Sequence, residues 1–283
     1  RASVRPSLLL DFANTRQLDP RVTFARASTG KFYDGTSVVK AEENLQLYSS
    51  QVDSWAFTRT TAVANSTTAP DGSTTADSLI EDSTATTTHN ARYNQTLIAG
   101  LPYVFSIYAK PNGRSWVALN EYQTNQTTYF DVTNGVVGNV GTGHVASISN
   151  AGNGWYRCSV YLASATASTI GFVTHLASAN GTISYTGDGV SGLYIWGAQL
   201  EQRSTVTAYT ATTTAAITNY IPVMQTALVD KPRFDVDPVT GESKGLLIEE
   251  QRTNLLTYSS DYSNAAWTKN NCSIASNTIV APD

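Results

Sequence analysis

Residues 154–201 read GWYRCSVYL (154–162), TIGFVTHLA (169–177), GTISYTGDG (181–189) and SGLYIWGAQLE (191–201), four short runs separated by Ser, Ala, Asn, Gly and Asp. In the first run Tyr156, Cys158, Val160 and Leu162 fall on one face and Trp155, Arg157, Ser159 and Tyr161 on the other. That is the period-two pattern of a strand with one buried side. The core of the last run, Leu193-Tyr194-Ile195-Trp196, is too short and too closely flanked by glycine to be a helix. Short strands punctuated by turn residues bury a core only by stacking two sheets, so the four runs predict the closing half of an antiparallel β-sandwich.

Upstream, the pattern continues. Thr75–Glu81 and His89–Ile98 are strand candidates, and Tyr103–Ala109 is a stronger one, with Tyr103, Phe105 and Ile107 on one face between Pro102 and Pro111. Ser115–Tyr122 and Thr127–Val132 follow, then Thr133-Asn134-Gly135 marks a tight turn into Val136-Val137, and Val145–Ile148 is a further run. With the four closing runs this makes roughly ten strands. Before Tyr209 no stretch shows a helical period.

The two ends frame this module. Residues 1–42 hold two short strand candidates, 6–12 and 21–25, and an Asp34-Gly35 turn, too little to close a core and so expected to anchor on a neighbouring module or another copy of the chain. From Glu43 the text changes to Asn44-Leu45-Gln46-Leu47-Tyr48-Ser49, Trp55 and Ala69-Pro70-Asp71-Gly72. About 210 residues later the same text returns as Asn254-Leu255-Leu256-Thr257-Tyr258-Ser259, Trp267 and Ala281-Pro282-Asp283, an interval fit for a whole domain with its connector and too long for a solenoid. The organisation expected is therefore an extended anchoring segment (1–42), a β-sandwich module (43–201), a connector (202–252) and the truncated start of a second copy (253–283). In the connector, Ile217–Leu228 reads as a short strand or one helical turn. Starting at Arg1 and stopping inside a repeat, the chain reads as a piece of something longer.

Composition narrows the function classes. The chain has 283 residues, 41% hydrophobic and only 14% charged, with Thr, Ser, Asn and Gly supplying the polar surface, as suits exposed β-structure. A net charge of −4 without any Lys/Arg cluster gives no footprint for nucleic acid. No apolar run approaches the ~18 residues of a membrane span, and no export signal is legible, so a soluble chain with no membrane insertion is expected. Cys158 and Cys272 fall in different repeats, have no CxxC partner, and argue against a disulfide scaffold; Cys158 alternates with apolar residues and reads as a small buried hydrophobe.

Three strings carry a resemblance: GLLIEEQRTNLLTYS at 245–259, NGWYRC at 153–158 and YIWGAQLE at 194–201. They resemble modules that recur in tailed-bacteriophage fibre, spike and other virion-surface proteins, themselves similar to carbohydrate-binding jelly-rolls. The resemblance covers most of residues 6–283. It implies an all-β, jelly-roll sandwich on a virion surface, assembled as a homo-oligomer, with a trimer as the usual form, in contact with other virion proteins and binding host cell-surface polysaccharide. A head or tail fibre or decoration protein without a sugar site, and the non-catalytic part of a polysaccharide depolymerase, are the alternatives it leaves open.

Catalysis on a polysaccharide needs two carboxyl groups facing each other across a cleft. Asp71, Glu81, Asp82, Glu121, Asp131, Asp188 and Glu201 are the acids available, none in a motif, and no enzyme activity or cofactor is expected. His89, His144 and His175 are isolated, without metal-ligand spacing, and read as ordinary surface or strand histidines. Hard-cation sites leave little trace in sequence, so Asp71, Asp188 and Glu201 stand as weak candidates for a structural calcium. Sugar binding is best served by a flat ring beside amide side chains, which singles out Trp116, Asn120, Tyr122, Gln123 and Tyr129. The competing reading puts Trp116 and Tyr129 in the sandwich core and leaves Trp55, Trp155 and Trp196 structural.

Overall fold

The computed structural model describes residues 10–249, 255 and 261–274. Its strands in chain order are β1 (Gly30–Asn44), β2 (Ala56–Thr58), β3 (Thr60–Thr67), β4 (Ala76–Glu81), β5 (Thr87–Arg92), β6 (Tyr103–Asn112), β7 (Trp116–Glu121), β8 (Gln126–Asp131) and β9 (Val136–Val137). They continue as β10 (His144–Gly152), β11 (Trp155–Leu162), β12 (Phe172–Ala177), β13 (Ser184–Tyr185), β14 (Gly192–Glu201), β15 (Ile217–Ala227), β16 (Phe234–Val236) and β17 (Ser243–Leu246). The chain divides into two compact units, one of residues 38–223 and one of residues 1–37 with 224–283, and the division falls inside both β1 and β15, which pair with each other.

The larger unit is a sandwich of two antiparallel sheets. One has the order β10-β11-β6-β14-β4-β3; the other runs β13-β5-β12-β7-β8-β9, with β2 also on β5. Stripped to eight strands, these are β4-β14-β6-β11 facing β5-β12-β7-β8, in which the chain crosses repeatedly between sheets. That is the jelly-roll order. Alternation explains the filling: Tyr103, Phe105, Ile107 and Ala109 of β6 and Cys158, Val160 and Leu162 of β11 face Val117, Leu119, Phe130, Phe172 and Leu176 of the other sheet. Phe105 and Phe172 stack across the middle, ring centroids 5.0 Å apart and planes 9° from parallel.

Trp155 lies on the opposite side of β11 from Cys158 and is also buried. It packs with Trp196, Ala69 and Ala76, edged by Tyr108, Tyr194 and Tyr209, in a second apolar cluster outside the main core. Indole N–H groups fix this layer: Trp155 Nε1 donates to Thr68 O at 3.0 Å and Trp196 Nε1 to Thr75 Oγ1 at 3.0 Å. The Ala69–Gly72 turn is thus part of the packing of the sheet's outer face, which the pattern of β11 alone leaves unassigned.

Several expectations shift. β2 and β3, rich in Thr and Ala, carry no apolar alternation and are not legible as strands. Pro111 lies inside β6, beyond the last β11 pair at Ala109↔Tyr156, where one side of the strand is open. Phe12–Thr15 form one helical turn capped by Asp11, residues 21–25 are not in a strand, and residues 6–9 lie outside the described set. Asp34-Gly35 does not end a strand: β1 continues through it, with Asp34 Oδ1 accepting from the backbone N–H of Thr36 and Ser37 and Gly35 at φ 76°. Ile217–Ala227 is strand, not helix. Residues beyond 201 do not leave the module at once, because Tyr48 N donates to Thr213 O, Ser49 N to Thr212 O, and Arg157 Nη1 to Thr207 O at 2.6 Å.

In the smaller unit, side-chain hydrogen bonds substitute for a large core. The Arg26 guanidinium donates to the carbonyls of Ala227, Leu228 and Lys231, Asp230 Oδ1 accepts from Arg26 N, and the β16–β17 hairpin turns on Asp237. The opening of the second copy, 254 and 256–259, and its 281–283 turn lie outside the described residues. Trp267 is described, and its N–H donates to Asn264 O as Trp55 N–H donates to Val52 O.

Candidate functional site

The outward face of the β5-β12-β7-β8 sheet holds a cavity of about 320 Å³ lined by Thr58, Thr88, Asn90, Arg92, Asn120, Tyr122, Asn125, Val173, His175 and Ile183. Strand pleating puts these side chains together. Leu119 and Glu121 of β7 and Phe172 and Leu176 of β12 point inward, so Asn120, Val173 and His175 must point outward. Register then builds rows: Thr58 pairs with Asn90, Asn90 with His175, His175 with Ala118, and Ala118 with Tyr129, while Val173 pairs with Asn120 and Asn120 with Thr127. Tyr122, 47% exposed, begins the β7–β8 turn and stands over one end.

Most of the lining side chains carry polar groups, and one is charged. Asn120 Nδ2 donates to Thr127 Oγ1 at 2.9 Å and Asn125 Oδ1 at 3.2 Å, which fixes that amide against the hairpin. On the other side, Asn90 Oδ1, His175 Nδ1 and Arg92 Nε are buried atoms with no hydrogen-bond partner among the described residues, although Asn90 and His175 are only 5% and 6% exposed. Such orphans are uncommon in folded proteins, and each costs free energy until something pairs it. Burial lowers the His175 pKa to about 4, so the imidazole is neutral at physiological pH.

The five aromatic and amide residues read from the sequence all lie in or between β7 and β8, but the structure divides them. Asn120 and Tyr122 line the cavity; Gln123 is exposed at the hairpin tip. Trp116 and Tyr129 lie outside the sandwich core, on the outward face, in a small cluster with Ala118, Ala177 and Ile183 beside the cavity. A Cβ added to Gly138 would lie 2.6 Å from the Trp116 ring, so the indole and the Asn180 side chain both lie close against that glycine. Trp55, Trp155 and Trp196 are buried. The lining residues not singled out are Thr58, Thr88, Asn90, Arg92, Asn125, Val173, His175 and Ile183. Their one sequence signal is the polar set Thr88, Asn90, Arg92 at alternate positions of β5, which names a face but not what the face meets.

The remaining candidates are separated from this cavity or occupied. Asp71 Oδ1 accepts from Ser73 N and Oγ; Asp188 accepts from Val190 N, Ser191 N and Ser191 Oγ; Glu201 accepts from Thr207 N and Oγ1 and faces Arg203. Among the described residues no group of three or more His, Cys, Asp or Glu side chains is placed to hold a metal. Glu81 is fully buried, held by Arg114 Nε at 2.9 Å, Tyr185 OH at 2.6 Å and Asp188 N at 2.9 Å, with Arg114 over the Tyr185 ring. None of the seven acids lines the cavity. All three histidines lie buried in strands: His144 Nδ1 meets Thr128 Oγ1 at 2.8 Å, and His89 packs on the Tyr185 ring with neither nitrogen hydrogen-bonded among the described residues. Cys158 is buried and Cys272 exposed, and neither is bonded to the other.

No family model and no curated protein matches the chain. Among solved structures, it is similar to the CBM22-1–GH10 modules of Clostridium thermocellum endo-1,4-β-D-xylanase 10B, a structure complexed with xylohexaose, at 18% identity and a TM-score of 0.30. The likeness covers 59% of this chain and 29% of that one, so the chain spans under a third of the neighbour's length.

Proposed function

We propose that the chain is a carbohydrate-binding protein whose jelly-roll unit holds glycan in the cavity on the outer face of the β5-β12-β7-β8 sheet, without catalysis. The observation that carries this reading is the lining itself. Amide and hydroxyl groups converge on a shallow floor of Val173 and His175, with the Tyr122 ring standing at one end. A pyranose offers hydroxyls to such amides and a C–H face to such a ring. A cavity of about 320 Å³ falls at the small end of the ligand-site range of about 300–1,000 Å³. Hydrolysis is disfavoured because no carboxyl group lines the cavity and the chemistry needs two.

The finer reading places the protein on a bacteriophage virion surface, as a homo-oligomeric fibre or spike that meets host polysaccharide. Its support is the resemblance of the strings at 153–158, 194–201 and 245–259. Repeated modules suit that role, since linked weak sites gain avidity without new contacts.

A glycan array probed with the chain tests the binding reading. Retention on a defined set of oligosaccharides is expected, weakened about tenfold by Tyr122→Ala through loss of one stacked ring. An array empty of binding, with the protein folded by circular dichroism, would overturn it.

A further inference from the structure

Resting on that glycan reading, we infer that the cavity is built for an acidic sugar, with Arg92 as the group that meets the carboxylate or sulfate. The lining contains a single charged side chain, Arg92, and no acid. Several other guanidinium groups are provided for. Arg114 pairs with Glu81, Arg203 with Glu201 and Arg233 with Glu249, while Arg157 donates to Ser106 Oγ and Thr207 O. Arg92 has neither an ion pair nor a side-chain hydrogen bond among the described residues; its buried Nε makes no hydrogen bond, as is also true of the Nε atoms of Arg26, Arg203 and Arg233.

A cation beside a cavity without a counter-ion favours an anionic ligand, and the planar guanidinium fork matches carboxylate or sulfate oxygens with two parallel bonds. Around it the groups are neutral: His175 is uncharged at physiological pH, and Asn90, Asn120, Asn125, Thr58 and Thr88 supply donors and acceptors suited to hydroxyls. Asn90, paired directly with His175 across the β5–β12 ladder, brings a further unpaired atom to the same wall. Neutral polar neighbours bind the ring of a sugar; Arg92 adds selection for its charge.

The test uses immobilised oligouronates and sialylated and sulfated oligosaccharides, each beside its carboxyl-reduced or desulfated counterpart. The wild-type chain should bind the acidic forms at least tenfold more tightly than the neutral ones, with affinity falling as salt rises. Arg92→Gln should lose at least tenfold on the acidic forms and flatten the salt dependence, while Arg92→Lys keeps part of both. Unfolding midpoints of the variants control for folding; should Arg92→Gln not fold, the salt series on the wild type and Arg92→Lys still decides. Equal binding of acidic and neutral forms, or indifference to Arg92→Gln, would overturn the charge selection and leave the glycan site standing. Absence of binding to both forms would overturn the two together.

Discussion

Asn44 shows how much one side chain organises. Buried completely, its amide donates to Ala198 O at 3.0 Å and Thr210 O at 2.8 Å, and its oxygen accepts from Gln46 N at 3.0 Å and Leu200 N at 3.1 Å. All four hydrogen-bonding positions of the amide are used, tying the end of β1 to β14 and to the segment beyond it. This gives a physical reason for the Asn-Leu text at 44–45: no other side chain of that size offers two donors and two acceptors in one plane. Asn44→Ala leaves four buried backbone groups unpaired and is expected to destabilise the unit by about 3 kcal/mol in urea unfolding. Asn44→Asp keeps the acceptors, loses the donors and should destabilise it as well. A midpoint unchanged by both would show that water replaces the amide.

At the scale of elements, β14 departs most from its sequence pattern. Leu193 and Ile195 face the core at odd positions, whereas Ala198 and Leu200 do so at even ones. The change of phase comes from a bulge between Trp196 and Gln199, where Gly197 takes φ 62° and the ladder to β6 slips. Alternation therefore locates β14 correctly and misassigns half of its faces if read straight through. Trp196, at the bulge, turns outward against Tyr209, 4.4 Å between centroids, and Tyr108, 5.3 Å. A Cβ on Gly197 would stand 2.9 Å from Tyr108 Cδ2 in a backbone conformation that L side chains rarely adopt. Gly197→Ala is accordingly expected to lower stability by about 2 kcal/mol and to change the tryptophan fluorescence of the folded state. β12 behaves in the opposite way: Phe172 and Leu176 inward and Val173 and His175 outward follow the plain alternation, and that regularity gives the cavity its floor.

For the molecule as a whole, acid sensitivity should come from its buried histidines before its carboxylates. Burial lowers the pKa values of His175 and His144 to about 4 each, below the unfolded value near 6.5. The unfolded chain then takes up the proton first, so this contribution to stability is full above pH ~6.5 and is lost as pH falls through 6.5 toward 4. From pH 7.5 to 5.0 His175 alone should cost about 2 kcal/mol, and His175→Gln should remove that part of the slope in denaturant titrations at each pH. A slope unaltered by the substitution would place the sensitivity elsewhere. Much of the fold was legible in the chain because pleating ties burial to a period of two: most of the strands from β4 to β14 and the all-β class follow from spacing, although the His89–Ile98 run is strand only as far as Arg92. The text at 44–72 and its return near 254 are likewise properties of the sequence alone. Which face of β7 and β8 is core could not be read from those strands, since Trp116 and Tyr129 suit either side of a sheet. Only the packing of Phe105 on Phe172 settles it, by fixing which side of each strand meets the other sheet. The cavity depends on the same decision, since most of its residues come from β2, β5, β7 and β12, distant along the chain, and become neighbours only through pairing register.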